Sequence, residues 1–276
     1  MEIENITFVI TTFNSEKIIL SCIKNLPKYS KKIVIENSGN HKLKKILTDQ
    51  FTNIRVEVMD ENLGYGRANN IGIKLSTTDY VFILNPDVFI KTEELNLIFD
   101  TLKSLNFAIA SPIEKKEISK FNFNNEIYKD VNEVKGFAMI LNKKRMKGEL
   151  FDENFFLYLE EIDLCKRIKK LKEKILLLNI GIDHLGGKSH DSHYNLEMEK
   201  SRNWHWMWSK FYFYKKHYGY FHGFIKTLPN LISSFIKFLF FFCINEKIKS
   251  QNYKMRCLGL ASSYLLKKSY YRPLFD

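Results

Sequence analysis

Cysteine is scarce in this chain, and its spacing excludes the usual uses of paired cysteines. The 276 residues include four cysteines, Cys22, Cys165, Cys243 and Cys257, and no C-x-x-C pair. Cysteines this far apart are typical of a reducing compartment. The opening sequence MEIENITFVITTFNSE also lacks the basic segment and apolar core of a secretory signal. We therefore expect reduced, structural cysteines and a cytoplasmic protein.

Acidic residues are nearly absent from the C-terminal part of the chain. From Ser201 onward, thirteen lysines and arginines stand against two acids, which gives this region +11 of the net charge of +12. The same region contains all three tryptophans, Trp204, Trp206 and Trp208. Basic and aromatic residues together favour an anionic membrane surface as a partner. RNA is the alternative partner, but no RNP or KH signature is present, so we expect no nucleic acid.

The first 200 residues are almost neutral and alternate between strand and helix patterns. An apolar fraction of 45% excludes a disordered chain. Short apolar runs predict strands at 6–11, 31–36, 54–59 and 80–84, and helical patterns separate them at 15–26, 41–49 and 67–76. This order predicts a mostly parallel sheet with helices on both faces, in which ligands bind beyond the carboxyl ends of the strands.

Two polar turns at those strand ends have the composition of a phosphate site. In residues 62–67, NLGYGR, the glycines Gly64 and Gly66 let backbone amides approach an anion, and Arg67 can add a forked contact. Asp87 follows a buried strand directly, where a divalent cation bridging two phosphates would be held. A glycine-bearing loop and an ordinary strand exit are the alternative interpretation.

Acidic residues cluster at the start of another predicted helix, at 155–171. One explanation for Glu160, Glu161 and Asp163 is helix capping, because the helix dipole favours acids at this end. The other explanation is that one of these acids is a general base. A predicted strand at 174–179 is followed by His184 and by the sequence GGKS at 186–189, which favours an anion-facing loop. A purely structural histidine is the alternative there.

The order of these motifs resembles the family 2 glycosyltransferases, in particular their rhamnosyltransferase-like branch. The matching segments are TTFN at 11–14, IENS at 35–38, NLGYGRANNIG at 62–72, LNPD at 84–87, FLYLEEIDLC at 156–165 and RN at 202–203. Together they extend over about three quarters of the chain. The resemblance implies a GT-A fold, which is a mixed, mostly parallel sheet flanked by helices. It also implies a nucleotide-diphosphate sugar donor, a divalent cation (Mg²⁺ or Mn²⁺) and transfer with inversion at the anomeric carbon.

The resemblance also implies a donor site and a metal site in this sequence. The donor-binding residues would be Thr11, Asn14, Glu36, Asn62, Gly64, Arg67, Asn69 and Asn85. Asp87 and His184 would bind the metal and the diphosphate. Asn85 stands where the family's D-x-D element has its first acid, so we expect weaker metal binding, and a metal-independent enzyme stays open.

The catalytic base implied by the resemblance is Glu161, which would take the proton of the acceptor hydroxyl. Glu160 and Asp163 would orient the acceptor, and Glu160 stays a rival for the base. The family usually has Asp at this position, so Glu161 has a longer reach. Residues 134–138, VKGFA, resemble the segment where a small residue makes room for the donor sugar, and a core strand at 134–141 is the alternative.

The basic C-terminal region is expected to contact the acceptor and the membrane. Arg202 would bind a phosphate of a lipid-linked acceptor, with Trp204 beside it. Residues 228–244 are very apolar but marginal in length for a membrane span, so we expect an interfacial helix on anionic lipid. A helix hairpin or a dimer face is the alternative.

Together, these patterns predict a catalytic GT-A domain at 1–200 and a basic, aromatic helical region at 201–276. We expect an enzyme, peripheral at the inner leaflet of the membrane, that adds a sugar to a glycan or polyprenyl-diphosphate-linked acceptor. A nucleotidyltransferase on a similar sheet and a non-catalytic membrane scaffold are the rival functions.

Overall fold

The computed structural model describes residues 2–186 and 195–272, and this part of the chain divides into two compact units. The first unit consists of Met1–Phe151 and Glu161–Asp191. The second consists of Asp152–Glu160 and Ser192–Asp276, so it takes one short segment from within the sequence of the first.

The first unit is built on a sheet of nine strands among the described residues. The strands are β1 (Ile6–Thr12), β2 (Lys31–Glu36), β3 (Ile54–Val58), β4 (Tyr80–Leu84), β5 (Val88–Phe89), β6 (Ile109–Glu114), β7 (Tyr128–Asp130), β8 (Ala138–Asn142) and β9 (Ile175–His184). The helices are α1 (Glu16–Lys24), α2 (His41–Gln50), α3 (Tyr65–Leu75), α4 (Thr92–Leu102), α5 (Lys143–Met146) and α6 (Glu160–Lys170). A 3-10 helix, Lys115–Lys120, follows β6.

The sheet has the order β3-β2-β1-β4-β8-β6-β9, and the short strands β5 and β7 both pair with β9. Strands β3, β2, β1 and β4 run parallel, β8 is antiparallel to both β4 and β6, and β9 is parallel to β6. The expected mixed, mostly parallel sheet flanked by helices is therefore confirmed. Because β1, β2 and β4 are parallel, their carboxyl ends lie at the same edge.

Strand β1 shows how the sequence produces this arrangement. Ile6, Phe8 and Ile10 belong to the hydrophobic cluster that includes residues of α1, α2 and α4. Val9 points to the opposite face, into the cluster that includes residues of α3 and α6. All four side chains are fully buried. A strand covered on both faces is mostly apolar, as this run is, and its buried Thr7 forms a hydrogen bond with Thr78 Oγ1 at 2.8 Å.

Three boundaries in the first unit differ from the sequence-based expectation by more than two residues. Helix α6 begins at Glu160 rather than at 155, because Tyr158 and Leu159 have φ angles of 73° and 68°, which a helix does not allow. Strand β8 begins at Ala138 rather than at 134, and the preceding residues form a turn. Strand β9 continues past 179 to His184, because its far end pairs with β5.

The second unit contains three long helices, α7 (Asn195–Tyr218), α8 (Tyr220–Cys243) and α9 (Lys247–Tyr264). Trp204 of α7 is 1% exposed and packs with Trp208 and Met255. A Cβ on Gly259 of α9 would lie 2.1 Å from the Trp204 carbonyl oxygen, so these helices approach each other backbone to backbone. Helix α8 begins eight residues before the expected segment and contains Pro229.

Candidate active site

The polar residues at the end of β1 contact the segment that follows β2, and they also contact α3. The Asn37 amide donates to the Thr12 carbonyl oxygen at 2.8 Å, and the Asn14 amide donates to Ser38 Oγ at 3.4 Å. Thr11 Oγ1 donates to Asn69 Oδ1 at 3.1 Å. These contacts bring three of the predicted donor-binding segments to one edge of the sheet.

The loop before α3 is held by side-chain amides. Asn62 Oδ1 accepts from Asn37 Nδ2 at 2.9 Å and from the Gly64 amide at 3.0 Å. Gly64 has a φ of 80°, which favours glycine, and it immediately precedes the first residue of α3. Because the Gly64 N–H is used inside the turn, the expected phosphate contacts are the amides at the start of α3 and the exposed side chain of Arg67.

Glu36 is fully buried at the end of β2, and its carboxylate binds the loop that follows it. It accepts hydrogen bonds from the amide of Ser38 at 3.1 Å, from the amide of Asn40 at 2.6 Å and from the Ser38 hydroxyl. In this arrangement the carboxylate shapes the loop at 36–40. Its predicted contact with the nucleotide stays a prediction.

Asp87 and His184 are brought together by the short ladder between β5 and β9. Val88 pairs with His184, and the Leu185 amide donates to the Asp87 carbonyl oxygen at 3.1 Å. His184 Nε2 lies 3.4 Å from Asp87 Oδ1, and His184 Nδ1 lies 3.0 Å from Glu114 Oε1. The imidazole also stacks on Phe137, with 4.6 Å between ring centroids and 9° between the planes.

The environment of Asp87 fits a cation. Its side chain is 1% exposed, and Oδ1 makes no hydrogen bond within the described residues, because the contact to His184 is an ion pair without hydrogen-bond geometry. A buried carboxylate oxygen without a donor is costly unless a positive charge is close. Protonated His184 supplies that charge in the ion pair, and a divalent cation held by Asp87 and neutral His184 would supply it instead. The described residues contain no group of three His, Cys, Asp or Glu side chains arranged to hold a metal.

Charges around Asp87 shift the titration of its neighbours. Burial opposes a charge on His184, but Asp87 and Glu114 outweigh that effect and raise the pKa of His184 above its ordinary value. Cys22 lies behind the turn, with Sγ 3.9 Å from the Asn85 carbonyl oxygen. Burial, with the charge of Asp87 adding to it, raises the pKa of Cys22 to about 12. This thiol therefore stays protonated and serves packing.

Glu161 is linked to the same edge through the turn before β8. The Gly136 carbonyl oxygen accepts a hydrogen bond from the Tyr65 hydroxyl at the start of α3. A Cβ built on Gly136 would lie 3.3 Å from that hydroxyl and 3.5 Å from Glu161 Cβ. The next residue, Phe137, stacks on His184. Gly136 therefore lies next to the half-buried Glu161, and Phe137 lies next to His184, which pairs with Asp87.

The other two acids of α6 have different surroundings. Asp163 is fully buried, and Oδ2 accepts from Arg167 Nε at 2.8 Å. Arg167 also binds Glu149 and the Leu150 carbonyl oxygen, so Asp163 anchors the loop at 149–150. Glu160 is buried at the first position of α6, and it groups with the second unit.

Sequence reasoning missed three contributors to the site. Arg167 could have been found, because it lies four residues after Asp163 on one helix face. Glu114 had no local signal, since it reaches His184 through the pairing of β6 with β9. Phe137 lies in the segment VKGFA that the sequence indicated, but its contact with His184 was not expected.

The acceptor residues expected in the C-terminal region belong to the second unit. Trp204 is buried in the core of that unit and also stacks on Tyr271, so we correct its expected role from acceptor contact to packing. A ring that is 1% exposed offers no face to a ligand. Arg202 is partly exposed, and its contact with the acceptor stays a prediction. The predicted anion loop falls mostly at 187–189, outside the described residues.

Comparison with known protein families identifies the chain. The family described as Glycosyl transferase family 2 matches residues 7–164, which is more than half of the sequence. The chain belongs to glycosyl transferase family 2. A curated relative of this glycosyltransferase, the low-salt glycan biosynthesis hexosyltransferase Agl10 of Haloferax volcanii, is 24% identical over 195 residues. The match covers 61% of this chain and 62% of the length of the relative.

Solved structures show that the family 2 chain has the expected GT-A fold. The mannosyltransferase PcManGT from Pyrobaculum calidifontis, in complex with GDP-Man and Mn²⁺, superposes with a TM-score of 0.56 at 11% identity. This match covers 95% of the chain described here and 87% of the mannosyltransferase. TarS of S. aureus in complex with UDP gives a TM-score of 0.52 at 15% identity and covers 97% and 93% of the two chains.

Proposed function

We propose that this chain is an inverting glycosyltransferase. It moves a sugar from a nucleotide-diphosphate sugar to a hydroxyl group of a glycan acceptor. The observation that supports this most is the link from Glu161 through Gly136 and Phe137 to His184 and Asp87. This link supports Glu161 as the base and Asp87 with His184 as the cation site, at the edge of the sheet where ligands of such sheets bind.

In the proposed reaction, Glu161 accepts the proton of the acceptor hydroxyl while that oxygen forms a bond to the anomeric carbon. The bond from that carbon to the diphosphate oxygen breaks on the opposite face, and its electron pair leaves with the nucleoside diphosphate. Attack opposite the leaving group inverts the anomeric carbon. Arg67 and the amides at the start of α3 would stabilise the diphosphate.

Asp87 and His184 would hold a divalent cation beside that diphosphate. Such a cation, when bound, supplies positive charge to the leaving group. The proposal gains support from GDP-Man and Mn²⁺ in the mannosyltransferase of the same fold. Because Asn85 replaces an acid, we expect the cation to bind weakly and to be dispensable under some conditions.

The acceptor is proposed to be carried by a lipid at an anionic membrane, in the synthesis of a surface polysaccharide or glycoconjugate. Within the described residues, α8 is a helix long and apolar enough to cross a membrane. Its large apolar side chains are mostly exposed: Phe221, Ile225, Ile232, Phe235, Ile236, Leu239, Phe240 and Phe242. With the surrounding lysines, this surface fits an interfacial position at the inner leaflet.

A thermal-shift panel of nucleotide sugars, with and without Mn²⁺, tests this function, with nucleoside triphosphates as the second arm. We expect a nucleotide sugar to raise the melting temperature, more strongly with Mn²⁺, and Asp87→Asn to remove the Mn²⁺ dependence. Asp79→Asn, an exposed acid on the loop before β4, is the matched control and should leave the shift intact. Shifts by triphosphates alone would favour a nucleotidyltransferase, and no shift at all would favour a non-catalytic scaffold.

A further inference from the structure

A cavity of about 380 Å³ opens in the first unit beside the candidate active site. It lies between the end of β6, the 3-10 helix Lys115–Lys120 and the segment that leads into β8. Packed protein interiors leave few voids larger than a water molecule, whereas ligand pockets begin at about 300 Å³. A space of about 380 Å³ is therefore large enough to hold part of a ligand.

The interior of this cavity is apolar. Its wall is formed mainly by Pro112, Ile113, Phe121, Val134, Phe137 and Leu177. Three of these, Ile113, Val134 and Phe137, are at most 5% exposed. Such a wall offers contact area but few hydrogen bonds, so it favours an alkyl or aromatic group over the ring of a sugar.

Five charged residues line the cavity, Glu114, Glu117, Lys120, Glu133 and Lys135, and three of them form ion pairs. Lys135 Nζ lies 2.7 Å from Glu117 Oε1 and 3.4 Å from Glu114 Oε2, and Lys116 Nζ lies 2.8 Å from Glu114 Oε1. The lining has three acids against two lysines, and Lys116 beside Glu114 adds a third lysine, so the rim has no large net charge of one sign. The occupant therefore needs no formal charge.

The cavity touches both halves of the candidate active site. Phe137 forms part of its wall and stacks on His184, the partner of Asp87. Ile162 also lines it and is the residue after Glu161. Gly136, which precedes the lining residue Phe137, would carry a Cβ 3.5 Å from Glu161 Cβ. The turn that walls the cavity therefore also contacts the proposed base, which is where the acceptor must lie.

We propose that this cavity binds an apolar group of the acceptor and so holds the acceptor hydroxyl at Glu161. The inference rests on the proposed function, because the acceptor is defined by that reaction. The group would be a flexible chain, as in an isoprenoid, or an aromatic ring, since both present the same apolar surface.

Binding of simple glycosides tests this assignment. Octyl β-D-glucoside below its micellar concentration, phenyl β-D-glucoside and glucose are titrated into the full chain by calorimetry, in the presence of Mn²⁺ with UDP or GDP. We expect the octyl or the phenyl compound to bind at least about tenfold more tightly than glucose, because apolar surface is buried. The stronger of the two arms identifies a chain or a ring. Equal binding of all three compounds overturns the proposal.

Cavity-filling variants locate the binding. Leu177→Trp should remove the preference for the apolar glycoside, and Leu177→Phe serves if the larger ring prevents folding. The matched control is Leu97→Trp, at a 51% exposed position of α4, which should keep the preference. If both Leu177 variants still prefer the apolar glycoside over glucose, the proposal is overturned. It is also overturned if Phe240→Ser loses this preference, because the apolar group would then bind on α8. If UDP and GDP fail to bind to the wild type, the proposed function itself fails. If a nucleotide binds but the preference is absent, the cavity assignment alone fails.

Discussion

The two units use their buried polar groups in opposite ways. In the first unit, Asn37 and Asp87 are buried shortly after β2 and β4, where their side chains hold the loop before α3 or contact His184. In the second unit, His205 is buried in the middle of α7 and Ser263 near the end of α9, and both bind backbone or side-chain groups of the same unit. Polar burial at strand ends prepares a ligand site, whereas polar burial between helices fixes packing.

Exposed apolar surface is concentrated in the second unit. Most large exposed apolar side chains belong to the second unit, and α8 alone contributes nine of them, Tyr220 included. Residues 201–276, which form most of this unit, carry +11 of the charge. The proposed chemistry therefore lies in the first unit, and the proposed attachment to a surface in the second.

The largest effect is expected from Glu161→Gln. Loss of a positioned base lowers turnover about 10²- to 10⁴-fold. Binding of the nucleoside diphosphate should be unchanged, because the amide keeps the volume of the side chain. Turnover and nucleotide affinity are measured in parallel, with the exposed Glu93→Gln as control. If Glu160→Gln abolishes turnover and Glu161→Gln does not, the base belongs to Glu160.

Much of this catalytic half was predictable from the sequence, because its signals are local. Strands at 31–36 and 80–84 agree with β2 and β4 to the residue, since each apolar run is bounded by polar residues. The turn that holds Gly136 was expected to be strand, and the contact of Glu114 with His184 was not expected at all. Both arise from pairings between distant segments, which a periodic pattern in one segment does not encode.

The C-terminal half was harder to predict, because its composition is uniform. Trp204 and Trp206 are separated by one residue, yet the first is 1% exposed and the second 41%. On a helix, adjacent aromatic residues point in different directions, so density of aromatics alone does not identify the buried ones. Only the packing of α9 against α7 at Gly259 decides that Trp204 is internal.

Attachment to anionic lipid is tested by removing charge. The triple variant Lys226→Gln, Lys247→Gln, Lys254→Gln should weaken binding to anionic vesicles about 100-fold. Each lysine near the membrane surface contributes about 1 kcal/mol to the binding free energy. The matched control removes three exposed lysines of α2, Lys42, Lys44 and Lys45, in the first unit. Co-sedimentation with vesicles measures both. Equal weakening by the two triple variants would mean that net charge, and not the second unit, governs attachment.

Acid should destabilise the second unit through His205. Burial lowers the pKa of His205 to about 3, with Arg272 opposing its charge further, while the Tyr271 carbonyl oxygen accepts from Nε2 at 2.9 Å. The neutral ring is preferred in the folded state, so stability is complete above the ordinary pKa of 6.5 and falls as the pH drops below it. By pH 5 the loss is about 2 kcal/mol, or about 30-fold in the folding equilibrium.

Melting curves at several pH values measure that loss. His205→Gln should flatten the decline between neutral pH and pH 5, even if it lowers the melting temperature at every pH. His41→Gln, at an exposed position of α2, should keep the decline of the wild type. An unchanged decline in His205→Gln would assign the acid sensitivity to other groups.

The smallest effect is expected from Gly136→Val. This variant tests whether the turn at Gly136 positions Glu161 for the reaction. The Gly136→Val side chain would press on the Tyr65 hydroxyl, 3.3 Å from the added Cβ, and on Glu161, 3.5 Å from it. A displaced base loses alignment with the acceptor, so we expect turnover to fall about tenfold, with Gly136→Ala intermediate. Nucleotide binding at the other strand ends should be retained. If turnover is unchanged, Glu161 does not act next to Gly136, and the link from Glu161 to Asp87 has no role in the reaction.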